Sequence, residues 1–370
     1  MSKLNLFIIV FGCMNLFSCN RNFENEKGHE APFISVELPQ NHHIINFDND
    51  FRRVEKWQID QDYLYFISEK QLYVYNYEGE LKFSLLNDSQ NSGNNCFVTD
   101  VKSNNNKIFL LCEDKGIVKV INKSSWDISN VIDIGVNGSA IEATEESLFV
   151  YQTSNTLNLE DKTKNYQLSI FDLEGNIIDR FFPYEKSKDN SYQFSVAVVQ
   201  TFSKFNDKVS FTRFMNDTIH YFNSKGDAIS HNLLGFNSKQ QEELTNQELM
   251  VEGNNMDIAY YPVYFTFNDQ YEAILYLKSL KLSLSLYDIK SNKNFNISIF
   301  EDKISNARLM PVAKIYGNDL FLFISDESVI GMNEERFIDN KSILGENLNQ
   351  LKQYEKYQIL LHFDLNDLQF

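Results

Sequence analysis

Apolar and polar residues alternate along much of this chain, as in LYVYNY (72–77), ELKFSL (80–85) and LSLSLY (282–287). A period of two puts every second side chain on one face of a pleated strand, so these runs predict half-buried β-strands. Several runs end in an aromatic residue followed by Asp or Asn. LYVYNYEGELKFSL does so at Asn76, QLSIFDLEGNIIDRFF at Asp172 and TIHYFNSKGDAISHNLL at Asn223. In all three a glycine follows three residues later: Gly79, Gly175 and Gly226. The Asp or Asn opens a turn and the glycine takes the positive-φ position before the return strand, so each is read as a hairpin.

Looser copies without the glycine stand at Asn122 (VKVINKSSWDISNVIDI), Asp288 (LSLSLYDIKSNKNFNISIF) and Asp364 (ILLHFDLNDLQF). The six positions 76, 122, 172, 223, 288 and 364 are spaced by 46, 50, 51, 65 and 76 residues. A strand pair precedes each hairpin, for example RRVEKWQID and LYFIS before Asn76, or CFVTDVKS and KIFLLCE before Asn122. Four strands in every ~40–50 residues indicate a β-propeller. Only six residues follow Asp364, too few for a turn and an outer strand. A ring with an unpaired edge stays open. The expectation is therefore an all-β, six-bladed β-propeller over residues 33–370, its last blade closed by an N-terminal strand at FISVEL (33–38). The two longest spacings hold small helical insertions, at 232–258 (with NSKQQEELTNQELM) and at 327–356.

The N-terminus has a different texture. One basic residue, Lys3, precedes the apolar run LNLFIIVFGCMNLF (4–17), which is shorter than the ~20 residues a spanning helix needs. A basic start followed by a short apolar core has the form of a secretory signal peptide. Leu16-Phe17-Ser18-Cys19 reads as a lipobox, with an apolar residue three before the cysteine and a small one directly before it. Residues 1–18 are then a leader that is removed, and Cys19 carries the lipid. Three acyl chains exceed the roughly two-signal threshold for stable anchoring without spanning. Residues 19–32, including NRNFENEKGHE, show no apolar period and read as a flexible tether.

Composition narrows the partners. A formal net charge of −17 over 370 residues repels phosphate backbones, so nucleic acid is excluded as the expected partner. High Phe (31) and Tyr (19) with few Gly (14) and Pro (5) suit pleated, half-buried surfaces.

With these features the chain resembles the six-bladed β-propeller lipoproteins common in Bacteroidota, a largely uncharacterised family. The resemblance rests on the lipobox at Cys19, the first repeat RRVEKWQID–LYFISEKQLYVYNYEGELKFSL, the fourth repeat FTRFMNDTIHYFNSKGD and the terminal YQILLHFDLND. It implies a fold and an outer-membrane address, periplasmic or surface-facing, but no reaction. Acidic residues after the cysteine favour surface export in such proteins; here Glu24 and Glu26 are offset by Arg21 and Lys27.

Candidate chemistry is sparse. Cys96 and Cys112 stand symmetrically about Asn104, so they are either a disulfide across one hairpin or two small buried residues of a blade core. The histidines His29, His42, His43, His220, His231 and His362 have no zinc-site spacing. Asp48-Asn49-Asp50 lacks the Gly and distal Glu of a calcium loop. No phosphate-binding, dinucleotide or serine-nucleophile motif is present. No metal or cofactor is expected, and no catalytic residue is assigned. The favoured reading is a binding scaffold for a protein, peptide or glycan, with the insertions as recognition loops. The alternative is a lyase or hydrolase working in the central channel.

Overall fold

The structure is a computed structural model that describes residues 54–85, 96–153, 165–184, 201–213, 218–233, 259–278, 281–291, 293–297, 312–316, 319–325 and 358–364. Its strands form consecutive antiparallel meanders. The first blade is β1 (Val54–Ile59), β2 (Leu64–Ser68), β3 (Gln71–Tyr75) and β4 (Leu81–Leu85). The second is β5 (Val98–Asn104), β6 (Lys107–Cys112), β7 (Ile117–Asn122) and β8 (Ile128–Asp133). The third is β9 (Ala140–Ala143), β10 (Ser147–Tyr151), β11 (Tyr166–Asp172) and β12 (Ile177–Pro183). The fourth is β13 (Phe202–Phe205), β14 (Lys208–Thr212), β15 (Thr218–Asn223) and β16 (Ala228–Leu233). The fifth is β17 (Ala259–Phe267), β18 (Tyr271–Lys278), β19 (Lys281–Asp288) and β20 (Lys293–Ile297). A three-stranded sheet follows, β21 (Val312–Tyr316), β22 (Asp319–Ser325) and β23 (Gln358–Asp364).

The chain is thus an all-β propeller with five complete blades, and the expectation of six blades is corrected. The reason is visible at Asp364. Counting hairpin signals assigns a blade to each copy, but β23 pairs only with β22 and has no return strand among the described residues. The proposed closing strand at 33–38 lies outside the described residues. Helix is nearly absent: among the described residues it is confined to the 3-10 turn Glu113–Lys115. The insertion 327–356 and most of 232–258 also lie outside them.

The three repeats with glycine form the turn their sequence predicts. Gly79, Gly175 and Gly226 have φ of 85°, 92° and 94°. The opening side chain caps the turn, with the amides of Glu80, Asn176 and Asp227 donating to Oδ1 of Asn76, Asp172 and Asn223. The pairing register shifts beside each turn, between Val74 and Tyr75, Ile170 and Phe171, and Tyr221 and Phe222. In the glycine-free second copy the turn is one residue longer, because the Asn122 amide donates to the Asp127 carbonyl. Trp126 takes the left-handed position there (φ 61°) and stacks on Phe83 of the first blade at 5.1 Å.

Two of these glycines serve a second purpose. A Cβ on Gly175 would lie 2.3 Å from the Asp133 carbonyl oxygen, and one on Gly226 would lie 2.7 Å from Ile170 Cγ2. Each hairpin tip therefore presses on the preceding blade, which leaves no room for a side chain.

Burial is greatest in the second strand of a blade and falls toward the rim. β2 is buried throughout, whereas β8 is exposed except at Ile132. The core is correspondingly divided into slabs between neighbouring sheets. Tyr65, Ile67, Leu72 and Val74 of the first blade pack with Val98, Val101, Ile108 and Leu110 of the second. Phe149 and Ile170 of the third pack with Phe202, Phe211 and Phe222 of the fourth. Trp57, Ile59 and Phe66 pack with Phe321 of β22, so the three-stranded sheet lies against the first blade. Each aromatic ring so buried contributes roughly 1.5–3 kcal/mol.

Candidate functional site

The first strand of every sheet touches the first strand of the next, in the order β1, β5, β9, β13, β17, β21. These strands therefore surround the propeller axis. Each runs into a tight turn opened by Asp60, Asn104, Thr144, Phe205, Asn268 or Tyr316. Two residues before each turn stands a polar side chain: Gln58, Lys102, Glu142, Ser203, Thr266 and Lys314. All but Gln58 belong to the buried polar and charged residues, and the Gln58 Oε1 is itself buried. One register position on six strands thus carries a polar ring where an apolar core would otherwise continue.

The ring members lean toward the following sheet. Lys102 Nζ lies 3.4 Å from Glu142 Oε2. Ser203 Oγ donates to Thr266 Oγ1 at 3.4 Å, and the Ile315 amide donates to Thr266 Oγ1 at 3.4 Å. Lys314 Nζ lies 5.7 Å from the centroid of the Trp57 ring on β1. One step further along β1 and β5, Lys56 Nζ lies 3.6 Å from Asp100 Oδ2 and donates to the Ser139 carbonyl at 2.6 Å. Asp100 Oδ2 also accepts the Ile141 amide at 2.8 Å, tying the second blade to the third. Lys204, on the other face of β13, donates to the Ala143 carbonyl at 2.9 Å.

The charges respond to this enclosure in different ways. Burial pulls the Lys102 ammonium down, but the Glu142 and Asp100 carboxylates outweigh it and hold its pKa above the ordinary lysine value. Burial dominates at Lys56 despite Asp100, and its pKa is lowered. Lys314 is pushed well below the ordinary lysine value, first by burial and then by the Lys102 charge, with Glu142, Asp100 and Asp60 pulling weakly the other way. Those groups stand on three different blades, and Lys314 itself stands on β21, one of the strands about the axis. Its ammonium is buried and has no hydrogen-bond partner among the described residues.

Beside the ring, Asp60 is a contrasting node. Oδ1 accepts the amides of Asp62 and Tyr63, both at 2.9 Å. Oδ2 accepts the Tyr65 hydroxyl at 2.5 Å, the Ser103 hydroxyl and the Lys123 ammonium at 2.6 Å. Burial alone would raise its pKa, but the bonds from Lys123, Ser103 and Tyr65 prevail and hold it below the ordinary carboxylate value. Ser103 and Lys123 belong to the second blade, so this carboxylate joins two blades.

The residues singled out in the sequence fall elsewhere. Cys19 lies outside the described residues. Cys96 precedes β5 and Cys112 ends β6; both are buried in the slab between the first two blades, with Cα atoms 5.4 Å apart. That separation is within the span a disulfide covers. His220 and His231 face one another across β15 and β16, with ring centroids 6.2 Å apart. Among the described residues no three His, Cys, Asp or Glu side chains gather as metal ligands. The inner-strand lysines and Glu142 were missed. Each sits in an alternating strand where a polar residue reads as solvent-facing, and only a strand's place at the axis reveals otherwise.

No protein-family model matches the chain, and no curated protein matches it either. Solved structures do. An exported protein of Bacteroides fragilis superposes with a TM-score of 0.65 at 14% identity, over 90% of this chain and 97% of that one. The WD40 domain of Pan2 from Neurospora crassa gives a TM-score of 0.43 at 8% identity, over 86% and 76%. At such identity the first likeness speaks for the propeller fold alone. Among the described residues no helix is long and apolar enough to cross a membrane.

Proposed function

We propose that this chain is a lipid-anchored protein of the cell envelope whose propeller is a binding scaffold. One observation carries the binding reading: the inner strands place buried charge, Lys102, Glu142 and Lys314, at the axis. Buried ion pairs hold a fold no better than apolar side chains of similar volume, so stability alone gives no reason for them. A ligand entering along the axis gives one. The lipobox at Leu16–Cys19 supports the anchor, with Cys19 acylated, 1–18 removed and 19–32 as the tether. Likeness of fold to a protein described as exported agrees with an envelope address; the outer membrane, with the propeller facing the periplasm or the surface, is our reading of the anchor. In that oxidising setting Cys96 and Cys112 are bridged. The partner is a protein, peptide or glycan.

Affinity capture of the tethered protein from its native membranes tests the scaffold. A consistent partner above the background of an unrelated tethered protein is expected, and its absence overturns the reading. Intact-mass measurement tests the anchor independently. An unacylated chain, or one still carrying Met1 to Ser18, overturns it. Comparing masses with and without reductant tests the Cys96–Cys112 bridge, which fails if no two-hydrogen gain appears.

A further inference from the structure

Resting on the binding reading, the axis has an imbalance that names a ligand chemistry. Three ammonium groups, Lys56, Lys102 and Lys314, face the axis with two carboxylates, Asp100 and Glu142. Lys56 is matched to Asp100 and Lys102 to Glu142. Lys204 is engaged by a carbonyl. Lys314 is left with neither counter-ion nor hydrogen-bond acceptor among the described residues, although it is only 5% exposed. An ammonium in that position is costly to bury, and an incoming anion would remove the cost.

The surroundings limit which anion fits. With Lys56 matched to Asp100 and Lys102 to Glu142, one positive charge is left, which a single carboxylate neutralises and a doubly charged phosphate or sulfate overshoots. The uncharged members of the ring are hydroxyls and an amide: Thr266 on the sheet before Lys314, Ser203 on the sheet before that, and Gln58 on the first blade. Gln58 Oε1 is buried and has no hydrogen-bond partner among the described residues, which leaves an acceptor for a ligand hydroxyl. We propose that the inner-strand ring binds a hydroxylated monocarboxylate, its carboxylate on Lys314 Nζ and a hydroxyl on Gln58 Oε1. This chemistry is shared by small 2-hydroxy acids and by sugar acids.

The test is titration calorimetry on the full purified chain with glycolate, D-glucuronate, glucose and sulfate. Binding of glycolate or glucuronate is expected, and which of the two binds distinguishes the small acid from the sugar acid. Lys314→Met should weaken it by about tenfold or more, the loss of one charge-assisted contact. Gln58→Leu should weaken it less. Equal binding of glucose or sulfate overturns the proposal, as does binding that Lys314→Met leaves intact, or no binding of either acid. Hydrogen exchange on the unaltered protein covers the case in which Lys314→Met fails to fold. Exchange in Val312–Tyr316 should slow with the binding acid and not with glucose, and no slowing overturns the site. Partner capture unchanged by Lys314→Met, with no acid bound, would leave the scaffold standing and remove only this site.

Discussion

Asp60 and Lys314 are both buried charges near the propeller axis, and they are treated in opposite ways. Asp60 accepts five hydrogen bonds, two from amides and three from side chains that include the Lys123 ammonium. Its charged form is favoured by its surroundings, and its pKa falls. Lys314 has a ring face at 5.7 Å and no acceptor among the described residues, and its pKa falls for the opposite reason, because its charged form is disfavoured. The same direction of shift thus marks a strut in one place and an unmet demand in the other. The difference teaches that the number of partners, not burial, separates a charge that holds the fold from one that awaits something.

The comparison breaks most sharply at Asp60. Asp60→Ala leaves the Lys123 ammonium and the Tyr65 hydroxyl buried without their acceptor, and should lower stability by about 3–5 kcal/mol in urea unfolding. Lys102→Met comes next. It strands the Glu142 carboxylate and should lose about 2–4 kcal/mol, much of it recovered when Glu142→Gln is added.

Acid sharpens the contrast further. Burial, then Arg213 and His231, push the His220 pKa down to about 4 from 6.5. The unfolded chain takes up its proton near 6.5 while the folded chain resists until about 4, so stability is flat above that window and falls as pH drops through it. Asp60 acts lower. Its pKa lies below 3.8, so its contribution is complete above that value and is lost as pH falls through the folded pKa. A pH series of melting temperatures should show the upper limb flatten in His220→Phe. The lower limb should shrink in Asp60→Ala. The smallest effect is expected at Lys314, where Lys314→Met removes an unmatched charge and should stay within about 1 kcal/mol of the parent, or gain.

Much of the architecture was legible in the sequence because the hairpin has local causes. Asn76, Asp172 and Asn223 cap their own turns, and Gly79, Gly175 and Gly226 adopt a backbone that other residues avoid. The blade count was not legible from the same signal. That signal marks the junction of third and fourth strands, and at Asp364 the third strand exists without a described fourth. The ring at the axis was hidden more deeply. Lys314 in VAKIY stands between apolar neighbours, and Lys102 in VTDVKSN stands in a mostly polar run, as rim residues do. Their meaning depends on contacts between strands more than 30 residues apart, such as Lys102 to Glu142, which no local period reports. A usable signal existed all the same: in each repeat a polar residue stands two places before the residue that opens the first tight turn.

The fit of Gly175 against Asp133, and of Gly226 against Ile170, gives the propeller a direction. At these two junctions the blades overlap like slates on a roof, the later tip covering part of the blade before. A fault at a tip is therefore not confined to its own blade. It uncovers its predecessor, and the order of the chain becomes the order in which the ring is weatherproofed.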